Sequence, residues 1–235
     1  MRRLLVVLLC AAAAAIFGAD GLSDAAPAST PERLPLAYTG SARQLVTVVG
    51  ASPSATTAVL TAWQKSGNRW VRALGPYPAF VGADGIGRAS ESTSHTPAGV
   101  FTLTEAFGIQ PSNGTRLPYR QVGRSDWWVS DVRSPFYNQH HSCAPGTCPF
   151  DESAGEDLGE AGPVYDHATV IDYNRNPVVP GAGSAFFLHV SAGRPTAGCV
   201  SLAGTDLDAV MRWLDPAARP VIAIGLESTE NRGSA

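Results

Sequence analysis

The sequence predicts a mainly-β fold, of the sandwich or barrel kind, with one clear helix near the C-terminus and a long insertion or lid. Three observations carry this prediction. Many short runs are rich in Val, Ile, Thr and aromatic residues. The 235 residues include 24 glycines and 18 prolines, which predicts turns between these runs. Only one segment has clear helical periodicity, and a chain with many strands and one helix favours a mainly-β architecture.

The N-terminus indicates export. Two arginines precede an apolar run from Leu4 to Phe17, which is short for a membrane span but typical of a secretory signal. We predict a signal peptide over residues 1–28, cleaved after Ala28, and no stable membrane span after cleavage; an uncleaved anchor is the alternative. Either case places the rest of the chain outside the cytoplasm. Residues 29–42 are predicted as a linker, 43–228 as one domain and 229–235 as a tail.

Strand candidates follow from position 43 onward. Two β-rich runs flank the Ser-Gly-Asn turn at 66–68 and predict a hairpin. The other candidates are the segments 43–51, 99–107, 126–132, 167–174, 185–192, 198–204 and 219–225. The helix is predicted after position 204, with Thr205 as its N-cap and Asp208 completing a start that resembles a capping box. Pro216 is predicted to end it. Its apolar face recurs at helical spacing, at Leu207, Val210, Met211 and Leu214.

The segment from about 134 to 162 is weakly patterned and predicts the insertion or lid. It contains Cys143 and Cys148, separated by a Pro-Gly turn, and a loop of that length can close into a disulfide in an oxidising compartment. Since cleavage would remove Cys10, Cys199 is then the unpaired cysteine. Two alternatives remain at this stage: Cys199 pairs with one of the other two, or it is an unreactive buried residue.

His189 and Cys199 lie ten positions apart in "FFLHVSAGRPTAGCVSLAG". Strand alternation puts Phe186, Leu188 and Val190 on the core face, so that His189 faces a groove. We expect the turn "GRPTAGC" at 193–199 to return the chain like a hairpin and to bring Cys199 near His189. An imidazole there would lower the pKa of the thiol and pass a proton to a leaving amine. Gly198 would leave space for a substrate carbonyl and free main-chain N–H groups to hold an oxyanion.

Four segments, in this order, resemble the catalytic domain of L,D-transpeptidases, also called the YkuD type. They are "TPAGVF" at 96–101, "YN" at 137–138, "VIDYN" at 170–174 and "FLHV" followed by "TAGCV" at 187–200. The resemblance covers roughly residues 43–226. It implies a YkuD-type β-sandwich, Cys199 as the nucleophile, His189 as the base, and main-chain N–H groups around Gly198 and Cys199 as the oxyanion hole. Thr196 matches the Ser/Thr of the motif.

The resemblance also implies a substrate. Family members attack the carbonyl of the third stem residue of peptidoglycan, release the terminal D-Ala and pass the acyl group to a second stem, which gives a 3→3 cross-link. It implies no metal and no cofactor. This chain has Ala197 where many members have a second histidine, Ser201 where they have arginine, and Val190 where glycine often follows the first histidine. Transfer or hydrolysis, and the stem and acceptor, therefore stay open, as does a wall-binding domain without catalysis.

Other residues carry weaker hypotheses. Ser191, Tyr137, Trp128 and His167 are candidates, with Thr196, for a substrate groove; a strand-surface position for His167 and a core position for the aromatic residues are the alternatives. His140 and His141, together with Cys143 and Cys148, are residue types that bind zinc, but their spacing fits no familiar zinc motif. The net charge of −3, without a basic stripe, argues against nucleic acid as a partner.

Overall fold

The computed structural model describes residues 33–227. The predicted signal peptide and the predicted tail lie outside the described residues. Within residues 33–227 the chain has no helix long and apolar enough to cross a bilayer. The mainly-β fold with one helix near the C-terminus is confirmed.

One large curled sheet of ten strands forms most of the domain. The strands within residues 33–227 are β1 (Gln44–Gly50), β2 (Thr57–Ser66), β3 (Arg69–Phe80), β4 (Ile86–Gly87), β5 (Thr96–Pro97), β6 (Gly99–Thr102), β7 (Ala106–Gly108), β8 (Tyr119–Gln121), β9 (Asp126–Val129), β10 (His140–Ser142), β11 (Gly155–Asp157), β12 (Ala168–Val170), β13 (Phe187–Val190), β14 (Val200–Leu202) and β15 (Val221–Leu226). The order in the large sheet is β6-β15-β1-β2-β3-β14-β13-β12-β7-β8.

The predicted hairpin is present as β2 and β3, which pair antiparallel along most of their length. Gly67 occupies the turn with φ +58°, a left-handed conformation that glycine adopts without steric cost. The hairpin leads β3 to β14, where Phe80 pairs with Ser201. Local turn chemistry thus brings the N-terminal half of the sheet against the strand that follows Cys199.

The predicted insertion is structured. β10 and β11 flank β9 in a separate three-stranded antiparallel sheet, and short 3-10 turns occupy Glu152–Ala154 and Gly162–Tyr165. Each strand has only three or four residues, which is why the segment shows no clear period in the sequence. Its last strand, β11, carries Glu156.

The helix α1 covers Gly204–Trp213 and buries Leu207, Val210 and Met211, as the apolar spacing predicts. The predicted cap is wrong. Ala203 is the N-cap, no side chain caps the helix, and Thr205 lies inside the first turn. Asp208 is engaged elsewhere, with Asn113 and His167. A further 3-10 turn follows at Pro216–Ala218.

The described part of the predicted linker is not a free spacer. Leu34, Leu36 and Tyr38 pack on the cluster around Trp63, and the rings of Tyr38 and Trp70 meet edge to face at 5.9 Å. The Tyr38 hydroxyl also accepts a hydrogen bond from the Ala42 N–H at 3.0 Å. Apolar burial of this kind holds the segment to the domain.

Strand β13 separates two cores. Phe186 and Leu188 belong to the core that contains α1, whereas Phe187 belongs to a second core with Trp128 and Cys199. The alternation predicted for this strand is therefore correct, and His189, two residues from Phe187, lies on the side of the second core. The aromatic ring of Tyr165 contacts both Phe187 and His189 there.

Candidate active site

Cys199 immediately precedes β14, and its thiol is held by the segment that leads into β13. It is a free cysteine, only 7% exposed. Its sulfur accepts a hydrogen bond from the Phe187 N–H at 3.3 Å and donates one to the Ala185 carbonyl at 3.4 Å. Two main-chain groups thus fix the sulfur.

Two threonines fix the carbonyl of Cys199. Thr196 donates to it at 2.6 Å, and Thr96, from the "TPAGVF" segment, donates to it at 3.4 Å. Thr96 is fully buried and also accepts from the Gly82 N–H at 2.8 Å. The "TPAGVF" and "TAGCV" motifs, about a hundred residues apart, therefore meet at the carbonyl group of Cys199. This shared contact is a physical reason for both motifs to accompany the cysteine.

Gly198 is required by packing. Its φ is +145°, and a Cβ there would lie 2.6 Å from the Phe186 ring and 3.1 Å from the His95 carbonyl oxygen. The expectation that this glycine leaves space for substrate is therefore wrong, since protein atoms fill that space. Its N–H donates to the Thr196 hydroxyl at 3.1 Å. Gly198 is thus not a free oxyanion donor, and Cys199 N–H remains the candidate.

His189 is 7% exposed, and its Nδ1 lies 2.8 Å from the Val190 carbonyl oxygen. A carbonyl only accepts, so Nδ1 carries the hydrogen and a neutral ring keeps its lone pair on Nε2. Burial lowers the pKa of His189 below 6.5, and the carbonyls of Val190 and Val164 oppose that shift. A neutral imidazole is the form that can act as a base.

His189 and Cys199 are brought together by a parallel pairing, so the predicted hairpin-like return is wrong. β13 and β14 run parallel, with His189 opposite Ser201. Cys199 lies two positions before Ser201 and so belongs to the same face. Neither hydrogen bond of the thiol described above involves His189.

Both residues line one cavity of about 360 Å³, called here the His189 cavity. Its other polar lining residues are Glu156, Tyr165, Arg194, Thr196 and Ser201. A second cavity of about 360 Å³, the serine cavity, reaches Cys199 as well. It is lined by the carboxylates of Glu91 and Glu156 and by Ser90, Ser92, Ser94, Ser130 and Ser184. Cys199, the candidate nucleophile, thus borders two cavities with different linings.

Glu156 sets the electrostatics at the sulfur. Burial raises the pKa of the Glu156 carboxyl, against the hydrogen bond that it accepts from the Tyr165 hydroxyl. The pKa of the Cys199 thiol is raised well above its usual value, first by burial and then by the charge of Glu156, while the Phe187 N–H lowers it. The expected lowering by an imidazole is therefore wrong, and the resting nucleophile is a neutral thiol.

The other predicted groove residues have different surroundings. Trp128 is 2% exposed, packs on Phe187 and donates to the Asn138 side chain at 3.0 Å. Tyr137 is equally buried and donates to Glu91. Both are core residues, which corrects their assignment to a groove.

His167 and Ser191 are held by local contacts. His167 lies against the Pro111 carbonyl and Asp208 of α1. The Ser191 hydroxyl accepts from the Gly193 N–H at 3.0 Å in the loop after β13. Of the groove candidates, Thr196 lines the His189 cavity.

Cys143 and Cys148 form the predicted disulfide, with an S–S length of 2.01 Å and Cα atoms 5.3 Å apart. Their sulfurs are therefore not thiolate ligands for zinc. His140 instead pairs with Asp126 at 2.8 Å. The clip closes the loop after β10, and Glu152 accepts from the N–H groups of Gly146 and Cys148 inside it.

A model of the L,D-transpeptidase catalytic domain, the YkuD family, matches residues 52–222, well over half of the chain. The chain belongs to this family. The matched region contains Cys199, which lines both cavities, together with His189. No curated protein and no solved structure matches the chain.

Sequence reasoning missed one central residue of this L,D-transpeptidase domain. Glu156 lines both cavities, yet it lies in the weakly patterned segment and reaches the site only because β11 pairs with β9. The available signal was the acidic character of that segment, which does not distinguish Glu156 from Asp157 or Glu160.

Proposed function

We propose that this chain is an exported cysteine acyltransferase that remodels peptidoglycan by L,D-transpeptidation through an acyl-enzyme on Cys199. The observation that carries the proposal is the free, buried Cys199 in one cavity with a neutral His189 whose Nδ1 is already engaged. The disulfide supports an oxidising compartment, as export requires.

Acylation begins from the neutral thiol. As the Cys199 sulfur attacks the carbonyl of the third stem residue, His189 Nε2 takes the thiol proton, because the raised thiol pKa disfavours a resting thiolate. The Cys199 N–H donates to the developing oxyanion. The imidazolium then protonates the leaving nitrogen, the C–N bond breaks, D-Ala departs and a thioester remains.

Deacylation reverses the proton path. The side-chain amine of a second stem attacks the thioester, His189 takes its proton, and the sulfur leaves and is reprotonated. The product is a 3→3 cross-link, and the thiol is regenerated. Water in place of the amine would give a trimmed tripeptide, the product of an L,D-carboxypeptidase.

The test combines mass spectrometry with product analysis. The purified protein is incubated with a disaccharide tetrapeptide, and intact mass shows whether Cys199 carries the tripeptide acyl group. We expect this adduct and cross-linked dimers in the wild type, and neither in Cys199→Ala, whose small side chain should preserve the fold. Tripeptide without dimers would identify a carboxypeptidase instead. Turnover by Cys199→Ala at the wild-type rate would refute the cysteine mechanism.

A further inference from the structure

The His189 cavity contains a buried hydroxyl without a partner. Ser201 is 1% exposed, and its Oγ has no hydrogen-bond partner among the described residues. Because Ser201 pairs with His189 in parallel register, the two side chains share one face, and both line the cavity. Buried polar atoms nearly always have partners, so an orphan at a cavity wall indicates a ligand group.

Arg194 supplies a positive charge to the same cavity. It lies in the loop between β13 and β14, is exposed, and has no salt bridge to any residue from 33 to 227. Glu156 is the other charged residue of the lining, and its carboxyl is engaged by the Tyr165 hydroxyl. A guanidinium and a serine hydroxyl can both donate hydrogen bonds, and two such donors suit an anion.

We propose that Arg194 and Ser201 bind the carboxylate of the D-amino acid that leaves during acylation. This inference rests on the proposed function and deepens it. His189 must protonate the leaving nitrogen, so the leaving residue occupies the His189 cavity, and its carboxylate is attached to the carbon next to that nitrogen.

The serine cavity takes the other side of the substrate by the same argument. Glu156 lines both cavities, so the charged residues that distinguish them are Glu91 in the serine cavity and Arg194 in the His189 cavity. An anionic leaving group is therefore disfavoured there and favoured beside Arg194. The difference in charge between the cavities orients the stem peptide across Cys199.

Two acyl donors test the proposal: a tetrapeptide ending in D-alanine and the same peptide ending in D-alaninamide. Acylation of Cys199 is followed by intact mass. We expect Arg194→Gln to slow acylation by the carboxylate donor about tenfold or more, and by the amide donor less than about twofold, because only the carboxylate makes a charge-assisted bond. Ser201→Ala should show the same selectivity with a smaller loss, and Arg194→Lys should recover part of the rate. Arg69→Gln, at the exposed start of β3, is the matched control.

Equilibrium binding separates this inference from the proposed function. In a Cys199→Ala background, calorimetry should show tighter binding of the carboxylate peptide than of the amide, and Arg194→Gln should remove that preference. If the preference is present but the wild type forms no acyl-enzyme, the proposed function fails and the carboxylate site stands. If acylation proceeds and Arg194→Gln slows both donors equally or neither, the carboxylate site is refuted.

Discussion

Two histidines on neighbouring strands of the same sheet differ in what their ring nitrogens contact. His189 is in β13, and His167 immediately precedes β12, whose Ala168 pairs with His189. His167 has Nε2 at 3.0 Å from the Pro111 carbonyl and Nδ1 at 2.8 Å from the Asp208 carboxylate. His189 has Nδ1 at 2.8 Å from the Val190 carbonyl oxygen, the Val164 carbonyl also acts on the ring, and the residue shares a cavity with the Cys199 thiol.

The difference teaches which feature distinguishes a base from a structural histidine. Both side chains follow ordinary strand alternation, and both are mostly shielded from solvent. What differs is the surroundings of the two rings: His189 is kept neutral by burial and shares a cavity with the Cys199 thiol, whereas His167 pairs with a carboxylate. His167 has both nitrogens committed to acceptors, so it ties the start of β12 to α1.

The largest expected effect is on acylation. His189→Gln keeps similar volume and an amide that can donate to the Val190 carbonyl, but it removes the basic nitrogen. We expect the rate of Cys199 acylation to fall by about 10²–10⁴-fold, the usual contribution of a general base. The measurement is single-turnover acylation by intact mass.

His167→Gln is the matched control, and its acylation rate should stay within about twofold of the wild type. Equal losses in the two variants would show that the distinction between the histidines is wrong.

The next effect is on stability. His167→Ala should lower the free energy of unfolding by about 1–2 kcal/mol, because the Pro111 carbonyl and Asp208 each lose a partner. Urea denaturation measures this change. In a double-mutant cycle with Asp208→Ala, the two losses should be less than additive, since each removes the same contact. Full additivity would mean that the pair does not couple α1 to β12.

The sequence predicts those features that depend on contacts between residues close together along the chain. Alternation over four residues correctly places Leu188 and Phe187 in different cores. The helix face is likewise local and correct. The cap at Thr205 fails because Asp208, expected to complete it, is recruited by His167, which lies about forty residues earlier in the chain.

The site itself depends on longer-range pairings. The parallel partnership of β13 and β14, the meeting of Thr96 and Thr196 at one carbonyl, and the arrival of Glu156 through β11 have no local pattern. The raised pKa of the Cys199 thiol follows from burial and then from Glu156, so it too depends on the fold. The motif predicts which residues react, but it does not predict the direction of this pKa shift.

The smallest expected effect is the dependence of stability on pH. The pKa of His189 is lowered by burial, so between its folded value and 6.5 the unfolded chain binds a proton that the folded chain does not. The contribution of His189 is therefore lost as the pH falls below about 6.5, by at most about 1.4 kcal/mol per pH unit. Glu156 and Asp172 have raised pKa values and act in the opposite direction, since their folded forms take up protons more readily.

The difference in stability between the wild type and His189→Gln isolates the contribution of the histidine, because both proteins keep these carboxyls. Urea denaturation at pH 7, 6 and 5 should show the wild type losing stability relative to His189→Gln at each step. Parallel curves would show that His189 accepts a proton in the folded protein as readily as in the unfolded chain, and the contrast with His167 would then rest on hydrogen-bond partners alone.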